Sequence, residues 1–171
     1  LLTKEKFYNL AMFFEHSIQF GTPFILYYFV RNKEFNLLFL PSKLLIALTF
    51  ICHGVYALGT VYPLPANFVT MTMNILPISD TLSKSSLFII GVLDIIFAIG
   101  LFIPKLFKVS IIYCVVWGTL TAIARIYNGL YYGFSLSNVH QYLYLTIYRL
   151  PHGIFPLLLY LVWRKSDFKM Y

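Results

Sequence analysis

The chain has 171 residues, is 60% hydrophobic and 19% aromatic, and carries only 11% charged residues. Soluble domains run near 25% charged, so a water-facing version of this chain is excluded: it would expose apolar patches that aggregate. The net charge of +7 does not point to nucleic acid, because the basic residues lie scattered at the ends of apolar runs and not in a patch or stripe.

Lipid is the solvent that fits, and residues 1–171 read as a single transmembrane domain, an all-α bundle of five transmembrane helices. A crossing helix needs about 20 residues for a hydrocarbon core of roughly 30 Å. The first predicted span, 7–30, is interrupted by Glu15, His16, Gln19 and Pro23. The second covers 44–61 and holds Cys52 and His53. Between Pro65 and Pro77 the chain is too short to span, and segment 65–77 reads as an interfacial or re-entrant helix. The third span, 86–103, is closed by Pro104, and the fourth covers 107–127. Residues 128–143 then read as an external loop, and Tyr127, Tyr131, Tyr132, Tyr142 and Tyr144 as an aromatic belt at the boundary.

The fifth span ends at Trp163. Its clean apolar stretch, Ile154 to Trp163, covers only about 15 Å at the helical rise. A full crossing therefore starts near Tyr144, which places Arg149, Pro151 and His152 inside the membrane; Pro151 and Pro156 should kink the helix.

Eight basic residues (Arg31, Lys33, Lys43, Lys105, Lys108, Arg164, Lys165, Lys169) fall on one side of these spans and three (Lys4, Lys6, Lys84) on the other. The positive-inside rule then predicts an outside N-terminus for the visible chain and a cytoplasmic C-terminus. Cys52 and Cys114 each sit in an apolar run without metal spacing and read as small buried hydrophobes. No metal site is expected.

Polar residues recur at one depth. Glu15, His16, His53 and Asp94 each lie roughly 12 Å below the outer ends of their spans, Arg149 and His152 roughly 8 to 12 Å, and Arg125 reaches down from above. The charges balance, so pairing inside the bundle is expected, with Asp94–Arg125 as the first pair and Glu15–Arg149 as the second. Such a network can fix helix register alone, but intramembrane ionisable groups also mark functional sites. A quinone-type head group needs a hydrogen-bond donor, a proton source and an apolar slot. His53 or His152, backed by Asp94 and Arg125, supply the first two, with Tyr56 lining the slot. A proton or small-solute path uses the same residue types. No nucleophile elbow, P-loop, Rossmann fingerprint or zinc-protease motif is present, and no catalytic residue is assigned.

Several motifs resemble one family. His53-Gly54-Val55-Tyr56-Ala57-Leu58, Gly91-Val92-Leu93-Asp94, Trp117-Gly118-Thr119-Leu120-Thr121-Ala122-Ile123-Ala124-Arg125, and Arg149-Leu150-Pro151-His152 with Pro156 are similar, in order and spacing, to elements of the DoxX-like bacterial membrane proteins. The resemblance covers about residues 43–163; the N-terminal span is a departure. It implies a four-helix core in the bacterial inner membrane and association with quinone, thiol or sulfur redox systems. The expected function is a membrane subunit binding a quinone or similar amphiphile for a redox partner, a binding role being favoured over catalysis by the chain alone. The alternatives are an accessory or scaffold subunit of a larger membrane complex and a small proton-coupled transporter.

Overall fold

The structure, a computed structural model, describes residues 10–32 and 35–165. Helical residues 10–15 lead across a turn at His16 into α1 (Ser17–Asn32). There follow α2 (Asn36–Leu58), the short α3 (Ala66–Ile75), α4 (Asp80–Gly100), α5 (Phe107–Tyr131), α6 (Leu136–Arg149) and α7 (Pro151–Lys165). Among the described residues, four helices are long and apolar enough to cross a membrane: α2, α4, α5, and α6 with α7 as one span of 30 residues. The chain is thus a multi-pass helical membrane protein. Its exterior agrees, since large apolar side chains such as Phe24, Ile89, Val109 and Val116 point outward with no protein to cover them. Some hydroxyls inside the spans bond back along their own helices, as Thr119 does to the Val115 carbonyl at 2.7 Å, which satisfies those groups without water.

Helix ends depart from hydropathy where capping chemistry takes over. Helix α4 starts at Asp80, well before the expected Ser86, because Ser79 Oγ accepts the Leu82 N–H and Asp80 lies in the positive first turn. Helix α2 starts at Asn36 and stops at Gly59, which adopts φ 65°. The expected loop 128–143 is mostly helix. Helix α5 continues to Tyr131, Gly133 turns the chain at φ 97°, and Ser135 caps α6 by accepting from Asn138 N at 3.1 Å. The fifth predicted span therefore begins at Leu136, not Tyr144, and breaks at Leu150, with Pro151 opening α7.

The first predicted span begins outside the described residues, as do Lys4, Lys6, Lys33 and Lys169 of the charge comparison. Its described part is helical, and α1 has 16 residues, fewer than any of the four crossing segments. Segment 65–77 contains a helix of 10 residues, α3. The core runs through Ile18, Ile46, Phe50, Leu101, Ile111 and Phe155, which tie α1, α2, α5 and α7 together.

Candidate functional site

Two close helix crossings place the polar residues. Helix α2 meets α4 at Gly54 and Gly91. A Cβ on either glycine would stand 2.7 Å from the other's carbonyl oxygen, so only glycine allows this approach. Residue 53 precedes one crossing glycine and residue 94 follows the other by one helical turn, so their side chains meet. Helix α5 meets α7 at Gly118, where a Cβ would strike the His152 carbonyl, and at Gly153, where it would strike Thr119. That crossing brings His152 beside Trp117.

Helices α4 and α5 share a short turn and touch near it, with Phe97 and Tyr113 stacked at 4.2 Å. Farther from the turn each is held by a different neighbour, α4 by α2 and α5 by α7. A cavity of about 450 Å³ opens between them. Phe68, Met71, Thr72 and Ile75 of α3 roof it, and Ser83 Oγ bonds the Val69 carbonyl while Asn74 bonds Asn128. His53, Arg125, Arg149 and His152 form its polar side; Phe50, Leu87, Ile90, Leu120 and Ile123 are among its apolar lining. Leu120, Ile123 and Tyr127 are also exposed on the bundle exterior, so the cavity reaches the outer surface of α5.

The expected Asp94–Arg125 pair is not formed. Asp94 is fully buried, and both its oxygens are taken: His53 Nδ1 lies 2.8 Å from Oδ2 and the Tyr113 hydroxyl donates to Oδ1 at 2.7 Å. The reason is register. About the midpoint of the α4–α5 turn, Asp94 and Tyr113 are equally distant and fall at one level, whereas Arg125 lies roughly 18 Å farther along α5. With Nδ1 turned to Asp94, the Nε2 of His53 is the ring nitrogen left for the cavity.

The expected Glu15–Arg149 pair is present, at 2.8 Å and almost fully buried. Arg149 also approaches His152, whose Nδ1 lies 3.1 Å from the Arg149 carbonyl and 3.3 Å from Gln19 Nε2. Arg149→Gln is expected to cost about 2–3 kcal/mol by stranding the Glu15 carboxylate, and Glu15→Gln with Arg149→Gln to cost less than that single change. Thermal denaturation in detergent of the three variants checks this; equal or additive losses would refute the pairing.

Two expected site residues stand apart. His16 bonds the Met12 carbonyl and faces Tyr148, away from the cavity. Tyr56 is buried against Tyr62 in a separate apolar cluster and does not line the slot. The turn at His16 has a use of its own, because the Ile18 N–H freed near it is accepted by Thr49 Oγ1. Sequence reasoning missed Tyr113, Trp117, Gln19 and the roof of α3. Tyr113 and Trp117 look like ordinary apolar-face aromatics in a spanning helix, and only their neighbours reveal a role. Among the described residues no group of three or more His, Cys, Asp or Glu side chains suited to a metal ion exists.

Comparison with known proteins adds no assignment: no family model, no curated protein and no solved structure matches the chain.

Proposed function

We propose that this chain binds a small amphiphile in the cavity between α4 and α5, with the head group on the polar side and the tail along the apolar wall. The carrying observation is the cavity itself: about 450 Å³, mostly apolar, with His53, Arg125, Arg149 and His152 converging on one side. This is the general build of a small-molecule site. A head group rich in acceptors fits the donors, and His53, oriented by Asp94, offers a nitrogen that accepts or donates a proton. A quinone is one such ligand, delivered to or taken from a redox partner, in keeping with the resemblance to DoxX-like proteins of the bacterial inner membrane. In this reading the N-terminal segment is a fifth crossing with its N-terminus outside, α3 lies at the interface as a roof, and the C-terminus is cytoplasmic.

Lipid extraction and mass spectrometry of the purified protein test the proposal. A bound amphiphile is expected at near one per chain, with several-fold less retained by His53→Ala, and a short-chain quinone is expected to raise the melting temperature. No co-purifying amphiphile together with no thermal shift would sink it. A second reading, an accessory subunit of a larger complex, is favoured by Phe134 and Leu136, which stand almost fully exposed at the tip of the α5–α6 hairpin. A stoichiometric companion in a mild-detergent pulldown supports that reading, and a lone monomer counts against it.

A further inference from the structure

Among the described residues, every carboxylate is already paired. Glu15 holds Arg149, Asp80 holds Lys84, and Asp94 holds His53. Arg125 lines the cavity and has no carboxylate within ion-pair distance, and its Nε is buried without an acceptor. Trp117, on the same face of α5 and also lining the cavity, has a buried Nε1 N–H that is likewise unpartnered. Buried donors without acceptors are rare in folded proteins and costly in a membrane, and an unbalanced guanidinium is costlier still. The other cation on the wall, Arg149, is neutralised by Glu15, so the excess positive charge of the cavity resides on Arg125.

Resting on the amphiphile reading and narrowing it, we propose that the natural occupant is an acidic amphiphile whose carboxylate or phosphate is bound by Arg125. The guanidinium presents a planar fork of donors, which matches an oxyanion in two-point contact. Arg125 lies near the α3 end of α5, so the acidic head sits toward the membrane boundary. The tail runs along Phe68, Met71, Ile90 and Leu120 and leaves between α4 and α5, since the cavity is too small to enclose a long chain. Trp117 lines the same cavity eight residues before Arg125 along α5.

The chain has two tryptophans, Trp117 and Trp163. Trp163 packs on Phe107 and Tyr160 in the core, away from the cavity. Trp163→Phe therefore leaves Trp117 as a single reporter, which brominated probes quench on contact. The probes are a brominated fatty acid, the fatty alcohol of the same chain, and a brominated lysophosphatidic acid, each added to detergent-solubilised protein.

An acid is expected to bind at least about tenfold tighter than the alcohol, the size of a charge-assisted hydrogen bond. Arg125→Gln should reduce that preference to about twofold while leaving alcohol binding nearly unchanged, and Arg125→Lys, which keeps the charge but not the fork, should retain only part of it. Whichever acid binds tighter, carboxylate or phosphate, identifies the head group. Equal quenching by acid and alcohol, unaltered in Arg125→Gln, overturns the acidic assignment and leaves the amphiphile site standing. Competition by inorganic phosphate as strong as by lysophosphatidic acid overturns the amphiphilic part, since the site would then read a free anion. Quenching by none of the probes removes the amphiphile reading itself.

Discussion

Asp94→Ala is expected to be among the most damaging single substitutions in this protein, at about 3–5 kcal/mol, the range for removing one member of a buried, hydrogen-bonded polar network. The change removes the acceptor of the Tyr113 hydroxyl and of the His53 ring together and leaves a void at the α4–α5 contact. For a chain of this size the melting temperature should fall by roughly 10 °C. Partners are separated by double-mutant cycles. Asp94→Ala should be clearly non-additive with Tyr113→Phe and with His53→Ala, and additive within about 0.5 kcal/mol with Arg125→Gln. Strong coupling to Arg125 would overturn the assignment of partners. Asp94→Asn is a milder case with a sharper reading. Its amide can still accept from Tyr113, but its NH2 must face His53 Nδ1, which forces the proton onto Nε2. The cavity then meets a donor where it had an acceptor, so bound amphiphile should change far more than stability does.

The second large effect is expected at the α2–α4 crossing. Gly91→Val places a branched side chain against the Gly54 carbonyl and the Leu58 backbone nitrogen, and backbone atoms of a packed helix cannot yield as a side chain can. The helices must separate, at about 3 kcal/mol or more. Separation pulls His53 from Asp94, so ligand retention should fall with stability. Gly21→Ala is the matched control. Its new methyl would meet only the Leu45 side chain, whose far end can rotate away, and a loss under about 1 kcal/mol is expected. Thermal denaturation in one detergent reads both. A Gly91→Val protein as stable as Gly21→Ala would mean that the crossing is looser than described, and the account of how His53 reaches Asp94 would fall with it.

The sequence places the polar residues in one layer because depth follows from counting residues at 1.5 Å each, whereas Arg125 falls roughly 18 Å along α5 from the level of Asp94. Counting along a helix does not say which way a residue faces. The error over Asp94 arose there: it was matched to the nearest arginine of the next helix, when the hairpin register carries it to Tyr113. His16 and Tyr56, both expected at the site, pack against other neighbours. Glu15 and Arg149, far apart in sequence, meet because the helical residues before α1 lie against the end of α6, where His16 also faces Tyr148, and charge balance alone was enough to suggest them.

By itself the sequence determined that this is a helical protein with apolar runs long enough to cross a membrane, and roughly where four of them lie, because apolar run length is a property of local composition. Capping residues such as Ser79 and Ser135 also belong to that local text and went unread because hydropathy outweighed them. Only the tertiary structure decided that a cavity exists and which donors face it. Its opening comes from α4 and α5 being held by different partners at glycine crossings and bridged by a helix of 10 residues. Arg125 is left without a carboxylate because other residues, distant in the chain, claimed every described one first. Such competition for partners is a property of the whole packed bundle, and no window of sequence contains it.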